Sequence, residues 1–194
     1  LVVFAIGIWK ALTSEDMKEI VPVVGYITGA EVLWRMTGAN VFWEFGKYAT
    51  IAILTLSLLK NRKIKGVGLP FLFFIVLTPS MLLVVNALGF RAHTRELISF
   101  NLSGPLAVGF CLLFFRQFKV KLSEFLDWVW PTVYPIISIF TLATYSTLTA
   151  TEIEFGTESV FVTSGGYGPN QVSAALGLAA MLLVMWAISA EKQS

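Results

Sequence analysis

Arg91 and Arg95 stand on either side of the chain's single histidine, His93, in the stretch "FRAHTREL". Guanidinium groups hold phosphate through paired, charge-assisted hydrogen bonds, so the cluster suggests recognition of a phosphorylated group, with Arg35 as a further candidate. One histidine does not form a metal site unaided, so His93 is read as phosphate-binding or interfacial. Glu31 and Glu44 are the carboxylates that could serve as acid or base. Arg35 stands four residues after Glu31 and Lys47 three after Glu44, so ion pairs are the competing reading. A second pattern is "TSGGYGPNQVSAALG", 163–177. Gly165, Gly166 and Gly168 permit positive φ and close backbone approach, and Pro169 suits a first helical turn. The amides opening such a helix form an anion site in principle, beside Asn170 and Gln171. After them Ser173 and Gly177 have the small-xxx-small spacing of close helix packing.

Groups of this kind need elements to position them, and the composition says which. The 194 residues are 56% hydrophobic and 13% charged, with a mean hydropathy of +0.76, which excludes a soluble domain with a charged surface. Apolar runs lie at about 20–38, 41–59, 67–90, 97–115, 125–148 and 171–190. With the run Leu1–Trp9, too short to cross a bilayer, they predict an all-α, polytopic transmembrane helix bundle of about seven spans, the first truncated. The chain is expected to be a single transmembrane domain, 1–194, from the N-terminal part of a longer protein. Cys111, the one cysteine, sits in an apolar run and is read as a small buried residue.

Charge orients the spans. "KNRKIK" (60–65) and "RQFKVK" (116–121) carry seven cations and no acid, which assigns both to the cytoplasmic side. Alternation then places the loop 149–170, with Glu152, Glu154 and Glu158 and no cation, on the outer side. Ten of the 14 cations fall inside. Arg35, Lys47, Arg91 and Arg95 fall outside, against the bias, as ligand-binding groups or as interfacial anchors. The basic balance therefore reports on the membrane and not on nucleic acid.

Polar and helix-breaking residues gather towards the same side. Gly104-Pro105 is expected to kink or break its helix, with Asn101 and Ser103 beside it. Asn86 and Glu31 lie in outer halves of other spans. Together with Gly166, Gly168, Asn170 and Gln171 they predict a polar cavity open to the outer face. Pro79, Pro131 and Pro135 are read as packing kinks, and Trp128, Trp130 and Tyr134 as an aromatic belt.

Four stretches, "GAEVLWRMTGANVFWEFGKYA", "ISFNLSGPLAV", "YPIISIFTLATYSTLTATEIEF" and "TSGGYGPNQVSAALGL", resemble bacterial membrane proteins of the O-antigen ligase and polymerase superfamily. "GYGPN" looks like that group's motif at an outer helix start. Thr163 and Ser164 stand where relatives often carry a basic residue. The resemblance implies a multi-spanning, metal-independent glycosyltransferase of the inner membrane, without cofactor. It would move a glycan from a polyprenyl-diphosphate-linked donor to a hydroxyl of a lipid or glycan acceptor, in cell-surface polysaccharide (lipopolysaccharide) synthesis. Arg91, Arg95 and Arg35 would bind the donor diphosphate, and the catalytic residues are expected in a later outer loop outside these 194 residues. A transporter or flippase of a lipid-linked or amphipathic solute is the alternative, since polar cavities and broken helices also suit alternating access. A non-catalytic membrane scaffold is a third reading.

Overall fold

The computed structural model describes residues 1–61, 64–66, 68–89, 92–153 and 160–191, without the side chains of 69, 70, 77, 78, 80, 81, 92, 93, 95, 96 and 100. Among these residues the structure is all-helical. Seven α-helices follow one another: α1 (Val2–Thr13), α2 (Val21–Met36), α3 (Phe45–Lys60), α4 (Gly68–Leu88), α5 (Ala92–Phe115), α6 (Leu122–Thr149) and α7 (Pro169–Glu191). Short 3-10 turns at Met17–Ile20 and Val162–Ser164 precede α2 and α7.

Three helical stretches among the described residues are long and apolar enough to cross a membrane: Leu97–Phe115 in α5, Leu122–Thr149 (α6) and Pro169–Glu191 (α7). A crossing takes about 20 residues, whereas α2 and α3 have 16 each and α1 has 12. The structure thus establishes helices at all the expected runs and membrane-crossing dimensions for three.

The chain divides into two compact units. In the first (Leu1–Ile20 and Glu44–Lys119), α3 packs against α1 and α5, and α4 packs against α5. The inward stripe of α3 is Phe45, Ala49, Ile53, Leu54 and Leu58, the spacing that a 3.6-residue period places on one face. Phe4 meets the Phe45 ring edge-on at 5.8 Å. Gly109 of α5 lets the Phe74 ring sit where a Cβ would be only 2.5 Å away.

In the second unit (Val21–Trp43 and Val120–Ser194), α6 is the central helix, packing against both α2 and α7. Gly25 and Gly29 face α6 so closely that a Cβ at Gly29 would lie 2.1 Å from the Thr132 carbonyl oxygen. This G-x-x-x-G pair is the backbone-to-backbone contact that small residues permit. On α7, Val172, Ala175, Leu176, Leu178, Ala179, Leu182, Leu183 and Trp186 belong to the apolar cluster shared with α6. The expectation that Ser173 and Gly177 form a packing face is corrected: Ser173 is exposed and a Cβ on Gly177 would meet nothing within 4 Å. The inward stripe turns that pair to the far side of the helix.

Of the kink or break expected at Gly104-Pro105, the break is corrected. Helix α5 runs through it without a break, as α4 does through Pro79 and α6 through Pro131 and Pro135. A proline removes one N–H, here the donor for the Asn101 carbonyl, but the helix on either side keeps its remaining bonds and packing. Pro135 is itself buried, its ring 3.0 Å from where a Gly29 Cβ would lie.

Candidate functional site

Each unit contains a polar cluster assembled from elements distant in sequence. In the second unit it centres on Arg35, in the last turn of α2. Glu31, one turn earlier, forms an ion pair with the Arg35 guanidinium, whose side chain is only 6% exposed. Arg35 Nη1 donates to Gln171 Oε1 at 3.0 Å, joining α2 to the first turn of α7. The guanidinium also lies 4.9 Å from the centre of the Trp43 ring, within cation–π range, and Trp43 in turn meets the Tyr167 ring at 6.0 Å.

The glycine-rich turn delivers Gln171 to this cluster. Gly165 and Gly166 adopt left-handed backbone, φ 71° and 75°, which reverses the chain after the 3-10 turn at Val162–Ser164. The Gly166 N–H donates to the Phe161 carbonyl at 2.9 Å, and the buried Ser164 hydroxyl lies between the carbonyl oxygens of Phe161 and Tyr167. Pro169 then opens α7 with φ already helical. The amides of Gln171 and Val172 are taken by the Gly168 carbonyl at 3.0 and 3.2 Å. Arg35 reaches the same turn through the Gln171 side chain.

The first unit's cluster joins α3 to α5. Glu44, at the N-terminal boundary of α3, is 4% exposed and accepts a 2.7 Å hydrogen bond from the fully buried Ser103 hydroxyl. Lys47 Nζ stands 2.6 Å from the same carboxylate oxygen and 3.5 Å from Ser103 Oγ. One turn along, Tyr48 OH and Ser99 Oγ share a 2.7 Å hydrogen bond. A carboxylate taken from water needs such partners, and this one has an ammonium group and a hydroxyl.

The structure therefore brings Glu31, Arg35 and Gln171 together, with Gly166 and Gly168 shaping the turn. It places Ser103 in the other cluster. Asn101 and Asn170 join neither: both are exposed, and Asn101 Nδ2 donates 2.9 Å back to the Leu97 carbonyl of its own helix. Asn86 is exposed on α4, beside Leu82 and Val85 in a shallow surface groove. Glu31 and Glu44 each form the ion pair expected from their spacing. Arg91 and the side chains of Arg95 and His93 lie outside the described residues, as do Glu154 and Glu158. Among the described residues no three His, Cys, Asp or Glu side chains group as metal ligands.

Sequence reasoning left out Trp43, Tyr167, Lys47 as a partner of Ser103, and the Gly25/Gly29 contact. Only the last had a readable signal, the spacing "GYITG" in an apolar run. Comparison with known protein families, with curated proteins and with solved structures finds no match to the chain.

Proposed function

We propose that the chain is the membrane core of a glycosyltransferase that ligates or polymerises polyprenyl-diphosphate-linked glycans in a bacterial inner membrane. One observation carries this reading: the segments that resemble the O-antigen ligase and polymerase superfamily are the segments that supply the polar clusters. Stretch 29–49 supplies Glu31, Arg35, Trp43, Glu44, Lys47 and Tyr48; 98–108 supplies Ser99 and Ser103; 163–178 supplies Ser164, Tyr167 and Gln171. Buried polar networks of this kind are costly in apolar helices and mark functional regions.

In this reading all seven helices belong to the membrane domain, the connectors 60–65 and 116–121 face the cytoplasm, and 149–170 faces outward. The donor diphosphate binds Arg91 and Arg95, the latter in the first turn of α5. Arg35, held by Glu31, Gln171 and Trp43 with little exposed surface, receives a phosphate only when one of those partners yields. The acceptor hydroxyl oxygen bonds to the anomeric carbon as the bond to the diphosphate oxygen breaks. The lipid diphosphate leaves, and a general base takes the hydroxyl proton.

One second reading is a transporter or flippase of a lipid-linked or amphipathic solute, since polar groups buried in apolar helices also mark solute pathways. Full-length protein in proteoliposomes, given a polyprenyl-diphosphate-linked oligosaccharide and an acceptor, separates the two. The transferase releases free polyprenyl diphosphate in step with product. Lipid-linked sugar that crosses the bilayer intact, with no release, overturns the transferase and leaves the transporter.

A further inference from the structure

In the first unit the irregular segment 64–66 and the turn after α5 are locked together by one side chain. The Lys65 N–H donates to Gln117 Oε1 at 2.8 Å, and Gln117 Nε2 donates to the Lys65 carbonyl at 3.0 Å and to the Leu113 carbonyl at 2.6 Å. The Gln117 amide thus pairs with both backbone groups of Lys65, as a neighbouring strand would. Next to it Gly66 has φ +69°, and the Arg116 guanidinium lies across it, 2.8 Å from where a Cβ would be. The clamp brings Lys65 and Arg116 together, with Lys119 three residues further on; all three are exposed and none has a carboxylate partner among the described residues. The acids on the 14–19 segment are partly engaged within it: Glu19 accepts from Ser14 Oγ and Asp16 from the Lys18 N–H, both at 2.9 Å.

Apolar groups stand beside these cations. Phe114, Phe115 and Phe118 pack edge-on at 5.2 to 5.9 Å, and Ile64 (39%) and Phe115 (41%) remain exposed. This cluster caps the membrane-length stretch Leu97–Phe115. Cations beside exposed apolar side chains at the end of such a stretch match an amphiphile with a phosphate head and acyl chains, and match neither a soluble phosphate nor an acidic peptide.

We propose that the Lys65–Gln117 clamp makes the segment 64–66 and the turn after α5 into one binding surface for the phosphate headgroup of an anionic phospholipid. Two substitutions separate site from charge. Lys65→Ala removes a cation but spares the clamp, which uses only the backbone of Lys65. Gln117→Ala removes the clamp and leaves every charge in place. Purified full-length protein in neutral detergent is titrated with phosphatidylglycerol or phosphatidylcholine of identical acyl chains, and bound lipid is counted by native mass spectrometry. The parent binds phosphatidylglycerol more tightly. Lys65→Ala and Arg116→Ala each weaken it about fivefold, the worth of one cation near an anionic headgroup, and Gln117→Ala weakens it by a comparable factor. Phosphatidylcholine binding is unchanged, and free glycerol phosphate does not compete. Equal binding of the two lipids, parent-like binding of phosphatidylglycerol by Gln117→Ala, or full displacement by glycerol phosphate overturns the proposal.

Discussion

Replacing Gly29 by alanine tests the backbone contact on which the second unit is built. The added Cβ would lie 2.1 Å from the Thr132 carbonyl oxygen and 3.0 Å from Pro135 Cγ. Carbon and carbonyl oxygen meet at about 3.3 Å or more, so α2 and α6 must separate locally by roughly 1 Å. Neither obstacle can rotate away, because one is main chain and the other the ring of a buried proline. Overpacking of this kind costs about 1–3 kcal/mol, and more where the backbone must move. At about 2–4 °C per kcal/mol for a chain of this size, the melting temperature of the detergent-purified protein should fall by several degrees. Gly25→Ala is the internal control. Its Cβ would meet Thr132 Oγ1 at 2.4 Å, a side-chain atom that rotation or truncation removes. Thr132→Ala should therefore rescue Gly25→Ala and leave Gly29→Ala as unstable as before, a coupling that a double-mutant cycle reads directly. Parent-like melting of Gly29→Ala, or its rescue by Thr132→Ala, would refute the reasoning.

The Glu44 cluster should respond asymmetrically. Lys47 is 30% exposed on its side chain and Glu44 5%, so Lys47→Ala takes an ammonium group from a buried carboxylate, whereas Glu44→Gln frees an ammonium that already reaches the surface. Thermal unfolding should show Lys47→Ala as the more destabilised, and the reverse order would contradict the placement of Glu44. Gly165→Ala forces a side chain into left-handed backbone, with a Cβ 2.6 Å from Met36 Cε; a loss of about 1–2 kcal/mol and faster proteolysis between 160 and 170 are expected. Arg91→Lys and Arg95→Lys keep charge but lose the paired donors, and in the full-length protein each should weaken polyprenyl-diphosphate donor binding about tenfold with unchanged abundance. Donor binding equal to the parent's by both, and by the double alanine variant, would make them interfacial anchors only. Cysteines at Lys65 and Thr151 in a Cys111→Ala background test the proposed orientation: an impermeant thiol reagent on intact cells should label the second and spare the first.

The sequence by itself determined where the helices lie. Runs at 41–59, 125–148 and 171–190 became Phe45–Lys60, Leu122–Thr149 and Pro169–Glu191, because apolar length between polar connectors is a local property that the chain carries whatever it packs against. The pairing of Glu31 with Arg35 was legible for the same reason, both groups sitting on one helical face. Which face of each helix turns inward was not legible. Helix α7 is apolar nearly all round, so its composition left the face open until α6 took Val172, Ala175 and Ala179 and turned Ser173 and Gly177 away. Asn101 and Ser103 looked equivalent in sequence, yet two residues along a helix is more than half a turn, and packing against α3 buried only Ser103. Gln171 meets Arg35 across 136 positions of chain, and Gln117 holds Lys65 across 52. Such pairings follow from which helices touch and at what height, a choice that hydrophobic patterning leaves nearly degenerate and that, for Gln171 and Arg35, the close approach of Gly25 and Gly29 to α6 helps to fix.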